Sequence, residues 1–241
     1  MQLKKPAFIV FAGLLLGLSI GGILQFIIEM GHRIPSSDMS ADYVSAVLTA
    51  LFIGVSIVFW PVSGADKTVL LRLWFVRCFV TLGFMLFYEN HYGLDAYEYY
   101  RAAGNESFDF TALTLGNGTE NLSALTWWLS RHLPFERSYH ALKVIFSAIG
   151  LISIYLVYRG CMISLGREDR RYLYILGLFP SILFWSSILG KDPISLFGIS
   201  LYIYAVLALS KDPKIRYYLL IVVGLFIAMT IRIWTGLIFL A

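Results

Sequence analysis

Residues Tyr43–Trp60 read YVSAVLTALFIGVSIVFW, with no Asp, Glu, Lys or Arg among them. At about 1.5 Å per residue this stretch makes a helix of about 27 Å, close to the roughly 30 Å hydrocarbon core of a bilayer. Similar apolar blocks run over 6–30, 70–88, 139–158, 172–189, 193–209 and from 217 onward. The pattern predicts an all-α, polytopic transmembrane bundle of about seven spans.

Composition agrees. The 241 residues are 59% hydrophobic and only 14% charged, against roughly 45–50% and 25% in soluble domains. Mean hydropathy is +0.74. A water-soluble enzyme would lack the polar surface to cover itself, and a disordered chain is excluded for the same reason. A nucleic-acid partner is excluded as well, because the basic residues behind the net charge of +4 are scattered between apolar blocks. Two cysteines, Cys78 and Cys161, make no disulfide framework and read as small buried hydrophobes. Neither a Walker A loop, a G-x-G-x-x-G, an H-E-x-x-H nor a G-x-S-x-G occurs.

Basic residues set the orientation, since loops rich in Lys and Arg stay cytoplasmic. With the N-terminus inside, eleven of the nineteen fall on the cytoplasmic side, among them Lys4, Lys5, Lys67, Arg170 and Lys211. The first block reads as a signal anchor, too long for a cleaved signal peptide. The expected organisation is one transmembrane domain, 1–241, with N-terminal spans over 6–88, an outer loop over 89–138 and C-terminal spans over 139–241. The sequence stops in apolar residues, Gly236 to Ala241, which reads as a fragment.

The long loop carries two helix signals. Residues 93–104 form a short helix closed by Gly104, on which Asp95 and Tyr99 share a face with Glu98 beside them. After the Gly116-Asn117-Gly118 turn, Asn121 is placed to cap an amphipathic helix over 122–133, whose paired Trp127 and Trp128 suit a headgroup layer. Asn-x-Ser/Thr triplets at Asn105, Asn117 and Asn121 are read as turn chemistry. His91, His132 and His140 show no ligand spacing.

Several stretches together resemble the GT-C-type polytopic membrane glycosyltransferases, as in membrane proteins of bacterial polysaccharide biosynthesis. Asp95-Ala96-Tyr97-Glu98-Tyr99 is similar to the D-x-x-x-Y element of their first large outer loop. Gly118 through Leu133, leading into Ile145–Gly150 and Tyr158-Arg159, resembles their loop helix and the span after it. Phe179-Pro180-Ser181 through Phe184-Trp185-Ser186-Ser187 to Gly190-Lys191-Asp192 looks like their "LPS…FWSS…GKD" stretch, and Arg232 stands where they carry an Arg in the next span. The likeness covers roughly residues 85 to 235. It implies transfer of a sugar from a polyprenyl-phosphate carrier to a glycan, lipid or protein acceptor at the outer face of a bacterial inner membrane. It implies no cofactor and leaves a divalent metal open.

Lys191 and Arg232 also stand out without any family. A charge at membrane depth costs at least about 2.5–3.5 kcal/mol, so such residues face a cavity or a partner. Alternation of the spans brings Asp95, Lys191, Asp192 and Arg232 to one face. The cations suit a lipid phosphate and the carboxylate of Asp95 suits proton abstraction; Asp192, Tyr99 and Glu98 complete the expected binding set. Plainer readings stand beside these: Asp95 and Asp192 as helix caps, Arg232 snorkelling outward, Arg77 snorkelling to the cytoplasmic face, and Pro180 kinking the fifth span. A flippase of lipid-linked polysaccharide intermediates and a silent membrane subunit are the competing functions.

Overall fold

The computed structural model describes residues 25–26 and 38–240, apart from 105–106, 110, 112 and 133–136. The described residues are helical, with no strand. Helix α1 is Met39–Val58, and α2, Gly64–Phe79, runs through a π-helical turn, Val80–Phe84, into α3, Met85–His91. Two helices follow, α4 (Ala96–Ala103) and α5 (Gly118–His132). The bundle then continues with α6 (Tyr139–Leu165), α7 (Arg171–Leu178), α8 (Pro180–Trp185), α9 (Lys191–Leu209), α10 (Ile215–Ile231) and α11 (Ile233–Leu240).

Local chemistry sets these boundaries. The Asp38 carboxylate accepts from the backbone N–H of Ser40 and Ala41, Ser63 caps α2 through Asp66 N, and Ser138 caps α6 through Ala141 N. Helix α6 ends at Gly166, whose φ of +65° is the left-handed conformation that glycine tolerates. The π-turn disturbs the hydrogen-bond ladder of the second long helix, and the Tyr43 phenol donates to the Leu82 carbonyl there at 2.6 Å.

Four described helices are long and apolar enough to cross a membrane: Met39–Val58, Gly64–His91, Tyr139–Leu165 and Lys191–Leu209. Helix α10 is apolar but shorter, at 17 residues. The first expected block, 6–30, lies outside the described residues apart from Gln25 and Phe26. The fifth, 172–189, is not one span but two short helices. Phe179 turns extended (ψ 118°) ahead of Pro180, which opens α8 at a position where its missing N–H costs nothing. Large apolar side chains cover the outside of the bundle, Phe52 at 74%, Phe59 at 80% and Phe75 at 76% exposure; hydrocarbon, not water, suits such a surface.

Helix α6 is the central post. It packs against α1 and α9, and α9 packs in turn on α10. A Cβ on Gly198 of α9 would lie 2.8 Å from the Gly224 carbonyl oxygen of α10, and one on Gly224 would lie 2.8 Å from that of Gly198. Glycine on both helices therefore sets their backbone approach, the small-residue packing that membrane helices use.

Candidate functional site

The site forms where α4, the α8–α9 connection and the α10–α11 break meet. A cavity of about 220 Å³ is lined by Asp95, Tyr99, Trp185, Lys191, Asp192 and Arg232, with backbone and apolar atoms of 93–96 and 188–190. Five residues singled out in the sequence thus share one hollow. Glu98 does not: it is exposed and absent from the lining, because the turn of α4 that buries Tyr99 carries its neighbour outward.

Each side chain arrives by a local device. Asp95 opens α4, yet its carboxylate makes no capping bond and no hydrogen bond to any described residue, so it is not the helix cap its position suggests. Tyr99, one turn on, is 2% exposed. Loss of solvent, then the nearby Asp95 and Glu98 carboxylates, push its phenol up to about 12, so it stays protonated beyond the pH at which a free tyrosine ionises. Lys191 is the first residue of α9 and donates to Thr119 Oγ1 of α5 at 2.8 Å, with its Nζ 6.0 Å from the Tyr99 ring. Among the described residues it forms no ion pair. Asp192 does not cap α9 either. It accepts from Arg232 Nη2 at 3.3 Å, both side chains being about 40% exposed.

Arg232 owes its place to a broken helix. Its φ of −144° and ψ of 104° end α10, and α11 begins at the next residue. Carbonyls left over at such a break need donors. The backbone N–H of Gly116 reaches Met229 O at 2.9 Å, and the Asn121 amide donates to Thr230 O at 2.6 Å and Thr114 O at 2.7 Å. Asn121 therefore lies inside α5 as a stitch between elements, not at its start as a cap.

A second, larger cavity of about 420 Å³ shares Trp185, Asp192 and Arg232 with the first and extends past Ser186, Ser195, Leu196 and Ile199. Below it lies Arg77. The expectation that this residue reaches a membrane surface fails: Arg77 is 0% exposed. Its guanidinium donates to Ser147 O, Ser186 O, Ser187 Oγ and Ser186 Oγ at 2.7–3.3 Å. Nη1 and Nη2 make all four bonds, two of them to carbonyls at and beside a turn of unwound backbone, while Nε is buried without a partner among the described residues. Gly150 makes room, since a Cβ there would stand 2.4 Å from Ser186 O.

Sequence reasoning missed the polar network behind α4. Lys143 Nζ pairs with Glu89 Oε2 at 2.8 Å and the Tyr139 phenol donates to Glu89 Oε1 at 2.9 Å, with Lys143 and Glu89 0% and 1% exposed. The Tyr97 phenol donates to Glu89 O at 3.3 Å, and the rings of Tyr97 and Tyr100 pack on Tyr139. Asp42 of α1 accepts from Ser138 Oγ and from the backbone N–H of Tyr139 and His140 at the start of α6. The available signal was a lysine inside an apolar block. Among the described residues no cluster of His, Cys, Asp and Glu could hold a metal.

No family model matches the chain, and neither curated proteins nor solved structures give a match.

Proposed function

We propose that this chain is a GT-C-like membrane glycosyltransferase that moves a sugar from a polyprenyl-phosphate carrier to an acceptor. It would act at the outer face of a bacterial inner membrane, with the N-terminus cytoplasmic, in the synthesis of cell-surface polysaccharide. One observation carries the reading. Asp95, whose carboxylate has no hydrogen-bond partner among the described residues, and two cations, Lys191 and Arg232, line one cavity at the ends of apolar helices.

The chemistry follows from that arrangement. Lys191 and Arg232 hold the carrier phosphate, which stays in the headgroup layer while its tail lies among the helices. Asp95 takes the proton of the acceptor hydroxyl as that oxygen attacks the anomeric carbon. The bond from that carbon to the phosphate oxygen breaks, and the electron pair leaves with the phosphate, whose growing charge the two cations offset. Asp192 orients Arg232, and the protonated Tyr99 is a neutral donor beside Asp95.

Purified protein in lipid vesicles, given a labelled polyprenyl-phosphate sugar and an acceptor extract, tests this. Asp95→Asn should lower turnover about a hundred- to ten-thousand-fold, the usual worth of a general base. Lys191→Met should raise the KM for the donor, and both proteins should keep wild-type thermal stability. Full activity in both variants overturns the reading.

The helix breaks at 179–180 and at Arg232 favour a second reading, a flippase, because discontinuous helices build transporter sites. Movement of labelled lipid-linked glycan across vesicles that contain no acceptor would support it.

A further inference from the structure

A separate cavity, about 340 Å³, lies at the end of the bundle away from the charged hollow. Tyr139 at the start of α6 packs in one core with Ala96 and Tyr99 of α4, whereas Arg159, which lines this cavity, stands 20 residues further along the helix. That is about 30 Å, the thickness of the hydrocarbon core, so the cavity lies at the opposite headgroup level. Ser63 and Asp66 at the start of α2, Tyr155 of α6, and Glu168 and Arg170 of the α6–α7 turn complete its polar lining.

Its acids are already engaged. Asp66 Oδ1 accepts from Arg170 Nε at 2.9 Å and Oδ2 from the Tyr155 phenol at 3.3 Å. Glu168 Oε1 accepts from Arg159 Nη1 at 2.7 Å and Oε2 from the Tyr158 phenol at 3.2 Å. Each guanidinium gives one nitrogen to a carboxylate and, among the described residues, leaves two without a partner. Ser63 Oγ accepts from Asp66 N and keeps its own hydroxyl proton to donate. The groups still open in the cavity are therefore donors, and the N-terminus of α2, which borders it at Ser63, adds a positive partial charge. Arg167 and Arg171, on either side of Glu168 and Arg170, are exposed and form no ion pair among the described residues. Two guanidinium forks lining one space suit the oxygens of a phosphate.

The surroundings of the cavity are apolar. Pro61 and Val62 line it, and Phe59, two residues earlier, is 80% exposed. Leu165 and Ile175, which bracket the α6–α7 turn, are exposed as well. A free phosphate ion gains nothing from such surfaces, whereas the acyl chains of a lipid lie against them, and basic pockets between helix ends are where anionic headgroups bind. We propose that this cavity binds the phosphate of an anionic phospholipid through Arg159 and Arg170, with the acyl chains on the apolar surface beside Phe59. One headgroup then ties the α1–α2 connection to the α6–α7 turn. The site is independent of the glycosyltransferase reading, and neither stands or falls with the other.

The full chain in neutral detergent, titrated with phosphatidylglycerol and followed by native mass spectrometry, tests this. A saturable bound lipid is expected, and phosphatidylethanolamine, whose headgroup carries no net charge, should bind about tenfold or more weakly. Arg159→Gln removes one fork and leaves only Glu168, 51% exposed, to the solvent; it should weaken that binding step about tenfold or more. Arg170→Lys keeps a cation beside the buried Asp66 and should act likewise, and it carries the test if Arg159→Gln gives no cooperative thermal transition. Lys211→Gln makes an equal change of charge two residues beyond α9, at the same end of the bundle, and should bind as the wild type does. Equal affinity for the two lipids overturns the proposal. A loss in Lys211→Gln that matches the loss in Arg159→Gln also overturns it, since the attraction would then be diffuse. If inorganic phosphate at millimolar concentration displaces the lipid, the cavity takes free phosphate and the lipid assignment falls.

Discussion

Lys143→Met is the most severe perturbation that the buried network allows. The ammonium group and the Glu89 carboxylate are 2.8 Å apart with 0% and 1% of their side chains exposed, so neither has water to fall back on. Removing one member of a buried pair costs about 3–5 kcal/mol, most of it the penalty for the charge left behind. Here the remaining Glu89 carboxylate keeps the Tyr139 phenol at 2.9 Å, which places the expected cost near the lower end, about 3 kcal/mol. For a chain of this size that is a fall in melting temperature of about 6–12 °C, at about 2–4 °C per kcal/mol. Glu89→Gln should cost a comparable amount, whereas Glu89→Gln with Lys143→Met should cost far less than the two together, because the pair is removed as a unit. Thermal unfolding of the four proteins in one detergent, followed by tryptophan fluorescence, closes the cycle. A Lys143→Met loss below about 1 kcal/mol, or additive singles, would mean that the two groups are solvated and that the network does not hold α3 to α6.

The remaining expectations are narrower. Tyr99, its phenol raised to about 12 from the usual 10, favours its protonated form in the fold; stability from this group is whole below pH 10 and is lost as the pH rises toward 12. Tyr99→Phe should therefore flatten part of the alkaline fall in stability, and an unchanged slope would count against its burial. Gly150→Ala puts a Cβ 2.4 Å from Ser186 O and 2.8 Å from Arg77 Nη1. It should cost about 1–3 kcal/mol and lower donor affinity by shifting the turn that leads to Lys191; wild-type behaviour would show that this turn tolerates displacement.

Much of the fold was legible because hydrocarbon imposes a simple rule: long apolar runs must be helices. Tyr43–Trp60 and Tyr139–Tyr158 declare themselves by composition alone; α1 covers the first as far as Val58 and α6 covers the whole of the second. What composition cannot show is interruption. The run over 172–189 carries no charge, yet it breaks before Pro180 and unwinds after Trp185, where the carbonyl and hydroxyl of Ser186 meet the Arg77 guanidinium. That partner is more than a hundred residues away in sequence, and a rule that sends membrane arginines to the nearest surface misplaces it. The grouping of Asp95, Tyr99, Lys191, Asp192 and Arg232 followed from counting helix ends. Thr119, which holds Lys191, gave no signal, because a threonine near a glycine turn is ordinary in any loop.

Depth separates the two functional readings. Helix α9 has 19 residues from Lys191 to Leu209, about 28 Å, which nearly equals the roughly 30 Å hydrocarbon core. Lys191 therefore stands at one boundary of the core, not inside it. Helix α10 has 17 residues and gives about 26 Å before Arg232, so the second cation reaches a similar level. A carrier that alternates access keeps its site near the midplane, where both sides can open onto it. The cation that does lie deep is Arg77, 13 residues into α2 and so about 20 Å from its start. It is fully buried, with four hydrogen bonds to Ser147, Ser186 and Ser187. A charge held that way cannot bind a substrate without releasing the turn that positions Lys191. Among the described residues, Lys191 and Arg232 thus lie at helix ends, the level at which the proposed transfer from a lipid phosphate would need them, while Arg77 is held in the interior.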